Sequence, residues 1–261
     1  MPTKIKYDLE LFQRLNEEYR SKPLVPPNLT AKYDPETLAW RAKNRAKQLS
    51  TIFPLEGQRI LEVGCGRGEV CRAMTEHFGA TAVGVDVEHY DEWSIPAKNV
   101  QLHQVDLTQD NPPDLGLFDH ACSFAVWEHV RHPFTLLKRV HAMLKPGGMF
   151  YLVANLYRGP QASHRYRQVF FPWPHLLFSD EVFEEFYESI GKPPVGAEWV
   201  NQLAIADYHR YFYLVGFAAT QIRFDTTPID EEFYQRFEDK LGRFPRYDLE
   251  RDFMKAVLVK K

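Results

Sequence analysis

The chain has 261 residues, of which 44% are hydrophobic and 26% charged, and its net charge is -3. That is the composition of an ordinary globular protein, long enough for one α/β domain with additions or one domain plus a small lid. The slightly acidic balance provides no global basic field to draw a polyanion. Cys65, Cys71 and Cys122 form no CxxC pair and leave one thiol over, which argues against a disulfide framework and fits a reducing cytosol. The opening MPTKIKYDLELFQRLNEEYR is too charged for a secretory signal, and no apolar run reaches the roughly 18 residues of a membrane span. A cytoplasmic location with no membrane partner is the expectation.

Residues 1–50 read as two helices with a proline-rich joint. Leu11, Phe12, Leu15 and Tyr19 share one helical face. SKPLVPPN (21–28) interrupts the chain, because proline cannot continue a helix, and PETLAWRAKNRAKQL (35–49) resumes it with proline in the first turn. From 59 to 155 strands and helices alternate. Strands are predicted at 59–63, 81–87, 100–105, 118–124 and 149–154, and helices at 69–78 and 133–144, with KPGG (145–148) as a turn. Such alternation implies parallel strands joined by right-handed crossovers.

Residues 156–215 break the rhythm. Here 14 of 60 residues are aromatic, against 14% for the chain, so an insertion is placed in this stretch. Helices are predicted at 179–190, with Ser179 as cap and Gly191 as stop, and at 207–215, stopped by Gly216. A strand at 217–224, a helical stretch at 229–241 and a last strand at 253–259 follow. The resulting plan is a helical cap (1–50), a ligand-binding core (51–155), a lid insertion (156–215) and C-terminal strands that complete the core (216–261).

ILEVGCGRGEV (60–70) is the strongest local signal. A strand ends near Glu62, glycine recurs at 64, 66 and 68, and a helix begins. Glycines here permit a tight turn and let a ligand approach the main chain. In a dinucleotide site the sixth position counted from Gly64 would be glycine, but here it is Glu69. An acid there faces the place where a pyrophosphate normally sits, which disfavours NAD. It suits a ligand without phosphate, such as S-adenosyl-L-methionine. Asp86, in VGVDVE (83–88), ends the second strand 18 residues after Gly68, where a carboxylate can accept from both ribose hydroxyls. Asp106, in VDL (105–107), ends the third, where it can accept from an adenine amino group.

Taken together, LEVGCGRGEV, VGVDVE, VDL, FDHACSFAVWEHV and LLKRVHAMLKPGGMFYL resemble class I S-adenosylmethionine-dependent methyltransferases of the small-molecule type. The resemblance covers about 55–155 closely and the last two strands loosely. It implies a Rossmann-like α/β fold: a seven-stranded, mostly parallel sheet with helices on both faces and the last strand antiparallel. The chain adds N-terminal helices and an aromatic-rich helical lid to that plan. It further implies that Glu62, Gly64, Gly66 and Gly68, with Cys65 between, surround the methionine part of the cofactor. Asp86 and Val87 would meet the ribose side, Asp106 and Leu107 the adenine, and Ser123 and Phe124 the sulfonium. The 226–252 stretch is longer than the hairpin usual at that point.

Methyl transfer from a sulfonium is an in-line displacement, so the protein mainly holds the acceptor in line at about 3–3.5 Å. An oxygen acceptor of high pKa also needs a base. Candidate bases are His129, in WEHVRH (127–132), and His164, in the insertion among Arg165, Tyr166 and Arg167. Glu128, His129 and His132 could also be read as a metal set, but helix-surface roles suit them better, and no metal is expected. Arg158, Arg165 and Arg167 form a basic cluster able to meet a phosphate or carboxylate on the acceptor. Arg41 or Arg45 could reach the cofactor carboxylate. O-methylation of a small-molecule acceptor (a sugar, a phenol or a natural-product intermediate) is the expected function. The rivals are an RNA or DNA methyltransferase and a cofactor-binding protein without catalysis. NPPD (111–114) precedes strand four and lacks the aromatic of a base-methylating motif, and Cys122 lies within a strand, so no nucleic-acid partner is expected.

Overall fold

The computed structural model describes residues 5–26, 34–194 and 201–261. The end of the proline-rich joint and residues 195–200 of the insertion lie outside them. The elements in chain order are α1 (Leu9–Tyr19), α2 (Pro35–Ser50), β1 (Arg59–Val63), α3 (Glu69–Phe78), β2 (Thr81–Asp86), β3 (Val100–Gln104), β4 (Phe118–Phe124), α4 (Pro133–Met143) and β5 (Leu144–Asn155). Then follow α5 (Pro174–Leu177), α6 (Asp180–Ser189), α7 (Ile205–Val215), β6 (Phe217–Thr226), α8 (Glu231–Arg236), α9 (Glu238–Leu241), α10 (Arg246–Leu249) and β7 (Arg251–Lys260).

Local chemistry sets the helix starts. Asp8 caps α1 by accepting from Leu11 N at 3.1 Å, and Asp34 caps α2 by accepting from Thr37 N at 2.9 Å, with Pro35 in the first turn. All seven strands form one sheet in the order β3-β2-β1-β4-β5-β7-β6. β1 pairs in parallel with β2 and β4, β2 with β3, and β4 with β5. Thr220 Oγ1 donates to Val257 O and Thr227 N to Glu250 O, so β6 and β7 run in opposite directions. The order reverses between β1 and β4, which makes their carboxyl ends the topological switch point of the sheet. One local expectation is corrected. KPGG is no free turn, because β5 already begins at Leu144 opposite Phe118, and the register shifts before His120 pairs with Met149. A bulge there absorbs the two glycines.

The chain divides into two compact units that cut across the sequence plan. One comprises 34–154, 205–223 and 254–261, and so holds most of the sheet. In it, Ala42, Ala46 and Leu49 of α2 share a core with Val70, Cys71 and Met74 of α3 and Ile60 and Ala82 of the strands. The two N-terminal helices therefore do not form one cap, since α2 belongs here and α1 to the other unit. That second unit comprises 5–26, 155–194, 201–204 and 224–253. Its core is aromatic. Phe12 of α1 is fully buried, with its ring centroid 4.6 to 5.2 Å from those of Phe171, Phe178, Phe183 and Phe186. Trp173 is buried beside Phe233, and its indole N–H donates to Leu249 O at 3.1 Å. The long 226–252 stretch thus completes a second core that α1 and the insertion after β5 cannot close alone.

Among the described residues no helix is long and apolar enough to cross a membrane. His175, in the second unit, donates from Nε2 to Tyr157 O at 2.7 Å, while its buried Nδ1 has no partner. Burial lowers its pKa to about 4, and His164 nearby adds to the lowering. The unfolded chain takes up this proton near pH 6.5 and the folded one near 4, so the neutral ring stabilises the fold above 6.5 and that contribution is lost as pH falls from 6.5 towards 4. At about 1.4 kcal/mol per pKa unit, the loss is on the order of 3 kcal/mol. Denaturant titrations at pH 7.5 and 5 are expected to show most of this drop in the parent and little of it in His175→Gln, whose amide can still donate to Tyr157 O. An equal drop in both would refute the assignment.

Candidate active site

The glycine-rich loop leaves β1 at Val63 and enters α3 at Glu69. Its path is fixed by the neighbouring strand, since Gly64 N and Cys65 N both donate to Val85 O, at 2.8 and 3.0 Å. Gly64 has φ +74°, and a Cβ there would lie 2.2 Å from Val126 Cγ2. Only glycine fits that close approach. Gly66 has φ +51° but nothing within 4 Å of where its Cβ would be, so its main chain faces open space.

Beside this loop, at the carboxyl ends of β1 and β2 and in the segments after β3 and β4, lies a cavity of about 790 Å³. Its wall includes Gly64, Asp86, Val87, Asp106, Leu107 and His129 from the predicted set. Asp86 Oδ2 accepts from Gly66 N at 2.8 Å, and Oδ1 accepts from Glu88 N at 3.1 Å. Each carboxylate oxygen has a second lone pair, which leaves Asp86 able to receive two hydroxyls. Asp106 Oδ1 is bound by Thr108 N and Oγ1, at 2.8 and 2.7 Å. That leaves Oδ2 as the acceptor for a ligand. Val87 is an exposed apolar side chain on the same wall, suited to lie against a flat ring.

The other predicted residues lie off the wall, for visible reasons. Ser123 is fully buried and its hydroxyl donates to Val63 O at 2.9 Å. Phe124 packs edge-on to Tyr151 and carries the Arg45 guanidinium over its face at 4.7 Å. The residues beyond them, Val126 and His129, reach the cavity instead, because a short 3-10 turn (Trp127–His129) swings the chain after β4. The side chain of Cys65 is buried against Gly84, where a Cβ would meet its Sγ at 2.8 Å, and its main chain is bonded to Val85 O and Gly68 N, so it serves the shape of the loop. A Cβ on Gly68 would lie 2.6 Å from Leu102 Cδ1, which makes Gly68 a packing position at the start of α3.

Glu62 is buried beneath the loop and accepts from Cys71 Sγ at 3.0 Å. Burial raises its pKa to about 7, opposed by the Cys71 bond and the charge of Arg45. Burial lowers the pKa of Arg45, and Glu62 counteracts it. Arg45 thus brings a cation from α2 close enough to Glu62 to interact with its charge; Arg41 lies one turn earlier on that helix.

His132 shares the cavity wall with His129, whereas Glu128 is buried. Among the described residues no group of three or more His, Cys, Asp or Glu side chains is placed to hold a metal ion. His164 belongs to the second unit, with φ +54° and its ring 6.1 Å from that of Tyr166. Arg158 is committed to Asp248 at 2.6 Å and lies over Phe244, and Arg165 lies over Tyr187 at 5.9 Å. The basic cluster read from the sequence is therefore divided among separate aromatic and acidic neighbours. Sequence reasoning missed Val126, Thr108 and Arg131 on the wall, and weighed His132 only as a metal ligand. Their position just after strands three and four was the available signal.

This sheet order, with a glycine loop after the first strand and acids after the second and third, defines the class I S-adenosylmethionine-dependent methyltransferase fold. The chain belongs to the methyltransferase domain family, whose profile matches residues 33–189. Among curated relatives, a ubiquinone biosynthesis O-methyltransferase of Pseudomonas syringae pv. tomato is 29% identical over 143 residues, covering 47% of this chain and 60% of that protein. One of Cereibacter sphaeroides is 33% identical over 124 residues, covering 44% and 48%. The chain thus spans only about half the length of the curated relatives it matches. Among solved structures, an S-adenosylmethionine-dependent methyltransferase of Mesorhizobium loti aligns with TM-score 0.54 at 21% identity, covering 85% of this chain and 98% of that one. A magnesium protoporphyrin IX methyltransferase of Synechocystis, solved with bound S-adenosylhomocysteine, aligns with TM-score 0.51 at 11% identity, covering 98% and 100%. These structural likenesses concern the fold.

S-Adenosylmethionine is the cofactor of this fold, and the residues present fit it. An open main-chain face at Gly66 lies beside a carboxylate with free lone pairs, and an acid at Glu69 stands where a phosphate ligand would need none. Gly64→Ala is expected to cost about 2–4 kcal/mol, from overpacking on Val126 added to a strained φ. It is also expected to abolish S-adenosylhomocysteine uptake. Adding Val126→Ala should recover part of the stability, which denaturant titration would measure; no recovery would show that the clash is not the cause.

Proposed function

We propose that this chain transfers a methyl group from S-adenosylmethionine to an oxygen of a small molecule: a phenol, a sugar or a natural-product intermediate. The observation that carries the proposal is that Asp86, Asp106 and His129 lie together on the wall of one cavity. Asp86 accepts from the ribose hydroxyls, and Asp106 Oδ2 from the adenine amino group. Val87 and Leu107 pack against the nucleoside, and the loop from Gly64 to Gly68 lines the methionine part. Glu62 and Arg45 set the charge beneath that loop, with Arg45 closest to serving the cofactor carboxylate. The cofactor brings the activated methyl group, so the protein's tasks are alignment and removal of a proton.

His129 is the base favoured by position, because it shares the wall with the two acids. His164 is the alternative, carried by the second unit with the aromatic insertion as the acceptor-binding element. The O-methyltransferase names of the curated relatives support an oxygen acceptor. The net charge of -3 supports a small molecule over a nucleic acid.

Calorimetry with S-adenosylhomocysteine tests the cofactor half. Asp86→Ala is expected to weaken uptake about 100-fold, the loss of two hydrogen bonds to a charged group at about 1.5 kcal/mol each. Uptake that is unchanged, or absent in the parent, would overturn the assignment. The chemical half is tested by methyl transfer from labelled cofactor to a panel of phenols and sugars. His129→Gln is expected to lower turnover by about 10²–10⁴ while cofactor affinity is retained. Full turnover in that variant, with loss in His164→Ala, would move the base to His164.

A further inference from the structure

We infer that Trp93 is a positioning residue for the cofactor loop, acting through the backbone of Gly66 and, beyond it, Asp86. The inference rests on reading the cavity as the S-adenosylmethionine site. Gly66 lies in the left-handed region with open space where a Cβ would be, so no side chain of its own restrains its backbone. Such a residue is free to flip unless the flanking amides are held. Both are held here. Its N–H donates to Asp86 Oδ2 at 2.8 Å, and its carbonyl accepts from the Trp93 indole N–H, also at 2.8 Å. Trp93 sits on a 3-10 turn, Asp91–Ser94, after β2 and outside the cavity wall, so it acts at one remove from the ligand.

The turn itself is anchored. The Trp93 ring stacks on His89 with centroids 5.0 Å apart and planes 22° apart. Arg72 of α3 spans the loop and the turn, donating to Arg67 O at 2.8 Å and to Glu92 O at 2.6 Å, and Arg67 pairs with Glu92 at 3.0 Å. The Trp93 bond holds the Gly66–Arg67 plane and the Asp86 bond the Cys65–Gly66 plane, so loss of the first frees the backbone of Gly66 and leaves the N–H that aims the Asp86 carboxylate with one clamp fewer. Trp93 therefore removes the freedom that glycine brings to the loop, and pre-organisation of this kind appears as affinity.

The test is a double-mutant cycle read by S-adenosylhomocysteine calorimetry on the full chain. Trp93→Phe keeps an aromatic ring against His89 and removes the donor, and is expected to weaken binding about five- to tenfold. Asp86→Asn weakens it separately. Because the two bonds clamp the same residue, Gly66, from its two sides, the double variant is expected to lose clearly less than the product of the two factors. A role in bulk packing alone would make the losses multiply, and that result overturns the inference, as does parental affinity in Trp93→Phe. Arg72→Met, which frees the same turn from α3, serves if Trp93→Phe does not fold, with the same expected coupling to Asp86→Asn and the same refutation. Failure of the parent to bind S-adenosylhomocysteine is a different outcome, since it removes the cofactor reading itself.

Discussion

The hydrogen bond from Gly66 N to Asp86 Oδ2 ties together the two elements on which the site depends. It joins the loop after β1 to the end of β2, and it uses the carboxylate that the proposed cofactor would also need. A carboxylate that accepts main-chain N–H bonds is oriented before any ligand arrives, so little is lost in ordering it on binding. The bonds from Gly64 and Cys65 to Val85 O hold the same two strands together one step earlier. The loop is therefore stitched to β2 along its first half, and it is there, at Val63 and Gly64, that it reaches the cavity wall.

The surroundings of that bond are electrostatically graded. Below the loop, Glu62 is buried with Cys71 and near Arg45, and burial shifts its titration to about pH 7. Above it, Asp86 and Asp106 share a wall with His129 and with apolar residues such as Val87 and Leu107. At the start of α3, Glu69 puts a negative charge in the first helical turn, where a phosphate would otherwise be bound. A cationic, phosphate-free nucleoside derivative matches this distribution of charge better than a dinucleotide does.

The second unit follows another logic. Three segments far apart in sequence, α1, the stretch after β5 and the stretch between β6 and β7, each carry aromatic residues too numerous for their own length to bury. Together they bury Phe12, Phe171, Trp173, Phe183 and Phe237 almost completely. Additions made at three separate points of a sheet fold become one body because each supplies a part of the other two's interior. Its buried and singly bonded His175 adds an acid sensitivity that the sheet unit does not need to explain.

The local patterns were legible from the residues. The glycine spacing at 64, 66 and 68, the acids at strand ends and the 3.6-residue periodicities placed β1, α3 and β4 with their observed bounds, and they singled out Asp86 and Asp106, which lie on the wall of one cavity. These are short-range facts: a strand's alternation, a helix stop at Gly79 and a close approach only glycine tolerates are all written within a few residues. Long-range facts were not legible. That Ser123 would spend its hydroxyl on Val63 O, that Arg158 would pair with Asp248, and that Trp93 would grip Gly66 depend on which segments meet in space. The sequence alone determined the sheet and the cofactor class, because both rest on backbone geometry and strand order. Only the tertiary structure decided which polar groups remain available to a ligand, because a buried donor or acceptor takes whatever partner packing brings to it.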